Sequence, residues 1–235
     1  RIVSAVRRYF DGQGYLEIET PLLQNQAGGA AARPFLSHYR AYEAEVKLRI
    51  SLELYLKRVI CGDVPRVYEI GRVFRNEGVS QRHNPEFTLL EFYEAYTDLE
   101  GMMARVEECF AYVAQAVFGS TVVTIPGEDL TLDFGKPWAR VDLLGEIESR
   151  SGVRASELND LKSAKAALER VGLPSEKESN VGGIIEKLLE RFVEPHLIQP
   201  TFVVGYPIET SPLAKKDPNR PGFTPPSSDE AAGDP

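Results

Sequence analysis

An arginine, a carboxylate, a histidine and an aromatic ring gather in residues 71–93, GRVFRNEGVSQRHNPEFTLLEFY. They are Arg75 and Glu77, then His83 and Asn84 after Arg82, then Phe87 and Glu91. An arginine fork can neutralise phosphate bidentately, an aromatic face can stack on a base, and a carboxylate can accept from an exocyclic amine. Such a set is what a nucleotide site needs. Tyr93 stands two residues beyond Glu91, so on a strand the two side chains share one face. A carboxylate beside a phenol suits a buried ammonium, which must regain hydrogen-bonding partners for the water it loses. The competing explanation is a solvated hairpin, because RVYEIGRVFRNE alternates apolar and polar residues and EFTLLEFYEAY reads as a second strand.

The flanking sequence supplies elements to hold these groups. Ile2, Val3, Val6 and Phe10 recur at helical spacing with Arg7 and Arg8 outside, and Gly12 and Gly14 stop that helix. Tyr15 to Ile18 leads into Thr20-Pro21-Leu22-Leu23, a β-like run in which Pro21 forbids a central ladder position. The Gly/Ala-rich stretch 24–35, QNQAGGAAARPF, is either a flexible connector or a loop whose Gly28-Gly29 lets backbone approach a ligand closely. Residues 46–61 pass from a short strand into a helix that Ser51 could cap, with Glu53 in the favourable first turn. Further on, Met102, Met103, Val106, Phe110, Val113 and Val117 mark an amphipathic helix over 99–118 whose stripe should be core. Two strands around Gly127-Glu128-Asp129, helices near Leu161–Val171 and Val181–Phe192, and a strand over 199–204 complete the pattern.

The chain has 235 residues, 43% of them apolar and 26% charged, enough for one large α/β domain. Its net charge of −8 disfavours a generic nucleic-acid-binding module and suits a cationic substrate. No apolar run reaches the ~20 residues of a membrane helix. Cys61 and Cys109 lack metal-ligand spacing, which points to a reducing compartment, the cytoplasm by default. The opening Arg1 and a tail of disordered composition over 225–235 lead us to expect a fragment of a longer protein.

VFRNE followed by RHNPEFTLLE resembles motif 2 of the class II aminoacyl-tRNA synthetases in its lysyl form, and the helix–Gly–strand–Pro block over about 6–23 resembles their motif 1. The resemblance implies an α/β (α+β) class II catalytic fold, a mostly antiparallel sheet flanked by helices, covering residues 1–224. It implies a lysine–tRNA ligase reaction: lysine and ATP form lysyl-adenylate, and the lysyl group passes to tRNA(Lys). Arg75 is then expected to bridge the α-phosphate and the lysine carboxylate, Glu77 to accept from adenine, His83 and Asn84 to lie by the phosphates and ring, and Phe87 to stack under it. Glu91 and Tyr93 would meet the ε-ammonium, and Gly29 and Glu53 the α-amino group. Lys215-Lys216, after Ser211-Pro212-Leu213, could contact phosphate or be a solvated basic pair. His38 and His196 are read as structural. The resemblance implies a homodimer through motif 1.

No third motif follows, and Gly182-Gly183 with Arg191 is a decoy that opens a helix. Magnesium ligands are therefore expected outside this sequence, and activity of the piece alone is expected to be impaired. A paralogue that lysylates a protein, a non-catalytic synthetase-like binding protein, and aspartate or asparagine specificity are the alternatives. Glu91 and Tyr93 disfavour the last, because an aspartate site should offer a cation there.

Overall fold

In the computed structural model, which describes residues 1–30, 32–81, 83–135, 137–211, 214–220 and 222–224, the chain divides into two units, Arg1–Asp98 and a second beginning at Leu99. The first unit runs α1 (Ile2–Gly12), β1 (Leu16–Glu17), β2 (Leu23–Gln24), β3 (Leu36–Tyr39), β4 (Ala44–Leu48), α2 (Glu53–Cys61), β5 (Arg66–Phe74) and β6 (Glu86–Glu94). The two alternating runs of the sequence pair over their whole length, antiparallel from Arg66 opposite Glu94 to Phe74 opposite Glu86. The short β1 adds to β5 in parallel.

Alternation gives this sheet two apolar faces. Phe10 of α1 stacks on Tyr68, with ring centroids 5.1 Å apart, and lies 4.8 Å from Phe92. On the opposite face Leu52 and Leu56 pack with Val67 and Val73, and Phe87, Leu89 and Tyr93 join them. The expected stripe of α1 is therefore corrected: Ala5, Tyr9 and Phe10 are its buried residues, while Ile2 and Val3 stay 54% and 45% exposed. The aromatic pair carries the larger area and turns its own side of the helix inward. A second sheet, β2-β4-β3, is antiparallel throughout. Pro21 falls where the chain leaves one sheet for the other, so its missing N–H costs no ladder bond.

The second unit contains α3 (Leu99–Phe118), β7 (Val122–Thr124), β8 (Thr131–Asp133), β9 (Ala139–Asp142), α4 (Leu143–Ser151), α5 (Leu161–Arg170), α6 (Val181–Leu188) and β10 (Thr201–Val204). β7 and β8 form the expected hairpin, with Gly127 at φ 84° in its turn. β9 and β10 pair in parallel, and Leu143, Ile147, Leu168, Ile184, Leu188 and Val193 make the core. The stripe of α3 is only partly core: Met103 is buried, together with Glu107, Cys109 and Ala114, but Phe110 is half exposed. Glu107 tolerates burial because it accepts the Trp138 N–H at 3.0 Å, while Phe110 rests its edge against Trp138 at 5.3 Å. Gly182-Gly183 does open a helix, capped by the Asn180 side chain at 2.8 Å. Pro212, Leu213 and the tail over 225–235 lie outside the described residues. Among the described residues no helix is long and apolar enough to cross a membrane.

Candidate functional site

Four of the predicted residues, Gly29, Glu53, Arg75 and Glu91, meet along one short strip of backbone, Arg49 to Glu53, which runs beside the β5–β6 hairpin. Phe74 N–H donates to the Arg49 carbonyl at 2.9 Å, and Arg75 Nε donates to the Ile50 carbonyl at 3.4 Å. Ser51 Oγ and Leu52 N–H both donate to Glu91 Oε1, at 2.8 and 3.0 Å. Glu53 N–H donates to Ser51 Oγ at 3.1 Å. The strip is itself anchored from below. The Arg49 guanidinium, 3% exposed, donates to Glu69 Oε1 at 2.5 Å, to the Thr20 carbonyl and hydroxyl at 3.0 Å each, and to the Arg72 carbonyl at 2.7 Å. Gly71 leaves room for it, since a Cβ there would lie 2.2 Å from Arg49 Nη2.

Gly29, Ser51, Glu53, Glu91 and Tyr93 form one contiguous group. Gly29 has φ +86°, and a Cβ on it would come within 2.7 Å of Ser51 Oγ and 3.0 Å of Glu53 Cβ, so the close backbone approach needs glycine. Glu91 and Tyr93 share a strand face and are half-buried, in place of the solvated face that the hairpin alternative requires. Tyr93 O–H donates to Glu91 Oε2 at 2.9 Å. Burial, then the Glu91 charge beside it, raises the phenol pKa far above 10 and keeps its proton in place. Glu53 accepts from Lys57 one helical turn along, and Lys57 Nζ stands 5.9 Å from the Tyr93 ring centroid.

Toward the hairpin loop, Arg75, Glu77, Gly78, His83, Asn84 and Phe87 line a cavity of about 290 Å³. All five residues expected at a nucleotide are among them. The Arg75 guanidinium lies 5.2 Å from the Phe87 ring centroid, so cation and aromatic face already touch. Arg75 N–H donates to the Pro85 carbonyl at 2.8 Å and closes the loop. Inside it, Ser80 Oγ and His83 Nδ1 are 2.8 Å apart. Asn76 N–H donates to the Arg33 carbonyl at 2.7 Å, bringing the Gly/Ala-rich segment alongside. Every one of these residues belongs to the first unit.

Sequence reasoning did not find Thr20, Arg49, Glu69 or Lys57, and it gave Ser51 only a capping role. One signal was available: Glu69 has the parity of Val67, Gly71 and Val73, and a carboxylate on an apolar strand face needs a partner.

The family of class II tRNA synthetases (D, K and N) matches residues 1–230. The chain belongs to that family. Its curated relatives include the lysine–tRNA ligase of Thermoanaerobacter sp. (strain X514), 48% identical over 224 residues, or 95% of this chain and 44% of the relative. That of Moorella thermoacetica is 48% identical over 224 residues, 95% of this chain and 45% of the relative. The Chloroflexus aurantiacus ligase is 46% identical over 224 residues, with the same two coverages of 95% and 45%. The chain thus spans under half the length of these relatives. The class II assignment agrees with the mixed α/β architecture and its antiparallel-rich sheets. In this synthetase chain the cavity-lining residues sit at the loop end of the hairpin, and Glu91 and Tyr93 lie further along β6, with Phe87 and Glu91 about 13 Å apart along the strand.

Proposed function

We propose that the chain is the lysine- and ATP-binding part of a lysine–tRNA ligase, the name its relatives carry. The observation that carries this is the half-buried pair of acceptors, Glu91 Oε2 and Tyr93 Oη, 2.9 Å apart. An ammonium regains there the hydrogen bonds lost with its water, whereas the side chain of aspartate would find two acceptors and no donor. Glu53 and Gly29 stand beside the α-amino group, and Arg75 lies between the phosphate-side cavity and the substrate carboxylate. Glu77, His83, Asn84 and Phe87 hold the nucleotide.

In the proposed reaction a lysine carboxylate oxygen attacks the α-phosphorus of ATP and pyrophosphate leaves. The lysyl group of the adenylate then passes to a terminal ribose hydroxyl of tRNA(Lys), forming an ester as AMP leaves. The chain's contribution is alignment and fixed positive charge, with no covalent nucleophile. Magnesium is expected with the nucleotide, but the described residues include no group of three metal-ligating side chains, and no step is assigned to it. Exposed Leu16, Leu22 and Leu23 in the motif 1 region support pairing with a second copy, and a cytoplasmic location goes with the two free thiols.

Amino-acid-dependent ATP–pyrophosphate exchange, with lysine, aspartate and asparagine run side by side, tests the proposal. Exchange with lysine alone is expected. Exchange with aspartate or asparagine would count against it, whereas none with any of the three from a folded sample would show that this piece, expected to be impaired, is inert alone.

A further inference from the structure

We infer that Ser51 is a positioning residue that sets the length of diamino acid the site accepts, by fixing which oxygen of Glu91 is offered to the side-chain ammonium. This rests on the lysine-binding role proposed above. Ser51 is 5% exposed, and its hydroxyl has no freedom of role. Glu53 N–H can only donate, so Ser51 Oγ accepts from it at 3.1 Å; the Glu91 carboxylate can only accept, so the same hydroxyl donates to Oε1 at 2.8 Å. Leu52 N–H takes the second acceptor position of Oε1.

A carboxylate oxygen accepts about two hydrogen bonds, so Oε1 is fully used by these two donors. Among the described residues Oε2 carries the Tyr93 hydrogen alone and keeps one position open. Tyr93 Oη has spent its proton and can only accept from a further donor. An ammonium is therefore held by Oε2 and Oη together and by nothing on Oε1. Its distance from the α-amino group is set through one atom, because Ser51 Oγ also holds the backbone of Glu53. The glycine at position 29, which any side chain would drive into Ser51 Oγ, shows independently how closely the substrate loop is fitted to this hydroxyl. Without the hydroxyl, one of two bonds on Oε1 is gone and the carboxylate can turn to follow a shorter amine.

The test is calorimetric titration of the 235-residue chain and its Ser51→Ala variant with lysine, with ornithine, which is one methylene shorter, and with ATP. Loss of one charge-assisted bond should raise the lysine Kd about tenfold, with the ornithine and ATP values moving less than about twofold, so that the preference for lysine collapses. An unchanged lysine Kd, or lysine and ornithine weakened in parallel, overturns the role of Ser51 while leaving the lysine site standing. A wild-type chain that is folded by circular dichroism and binds ATP but not lysine overturns the lysine site and this inference together.

Discussion

Replacing Glu69 with leucine should damage the first unit far more than the loss of one carboxylate suggests. Arg49 and Glu69 are 3% and 2% exposed and joined at 2.5 Å. In the Glu69→Leu variant the guanidinium keeps the Thr20 and Arg72 oxygens but loses its counter-charge without gaining water. Removing one partner of a buried ion pair costs about 3–5 kcal/mol. Each kcal/mol moves the midpoint of a unit of this size by roughly 4–8 °C, so a fall of at least roughly 12 °C is expected. Thermal unfolding followed by far-UV circular dichroism reads it. The companion variant Arg49→Met with Glu69→Leu removes both charges and should recover most of the loss, since apolar replacement of a whole buried pair is often neutral. A single variant within about 1 kcal/mol of wild type, or a double variant no better than the single, would refute the counter-charge argument.

Three further outcomes follow from the geometry. Gly29→Ala places a Cβ at φ +86° and 2.7 Å from Ser51 Oγ; it should destabilise by about 1–3 kcal/mol and weaken lysine affinity in the same titrations. The Glu157 carboxyl is held down at about 2, from an ordinary 4.5, first by the hydrogen bond from Arg170 and then by the Arg154 N–H. A depressed folded-state pKa stabilises above the unfolded value and is lost as pH falls. The urea midpoint of wild type should therefore drop toward that of Glu157→Gln between about pH 4.5 and 2, and an unchanged gap across that window would contradict it. Cys61 is exposed and Cys109 buried, with burial pushing the Cys109 thiol up to about 11. A thiol-reactive dye should label Cys61 quickly and reach Cys109 only on unfolding, as peptide mapping would show.

What was legible in the sequence was what alternation and glycine spell out locally. The two strands β5 and β6 followed from period-two runs on either side of a polar loop, while Gly28-Gly29 left open a flexible connector or a close backbone approach. The side chains that brace the site were illegible because their partners are distant. Thr20, Arg49 and Glu69 are separated by up to 49 residues, and nothing in the sequence near Arg49 says that its charge is buried. The stripe of α1 misled for a related reason: Ile2, Val3, Val6 and Phe10 fit helical spacing, but only contact with Tyr68 and Phe92 decides which side turns inward. Ser51 looked like a cap, and its hydroxyl does meet the Glu53 N–H. Its bond to Glu91, 40 residues away, could not be read from a helix start.

The strip from Arg49 to Glu53 has a bearing on how such chains can change length. Successive residues in it serve different clients: the hairpin at Phe74, the Arg75 side chain, Glu91, and the start of α2. Inserting or deleting a single residue there would hand each contact to the wrong neighbour and misalign both halves of the site at once. The loop from Asn76 to Asn84 is closed at its base by the Arg75 N–H to Pro85 carbonyl bond, and because Glu77, His83 and Asn84 line the cavity from within it, its length is tied to the site as well. Gaps in this family's sequences should therefore spare the five residues of the strip.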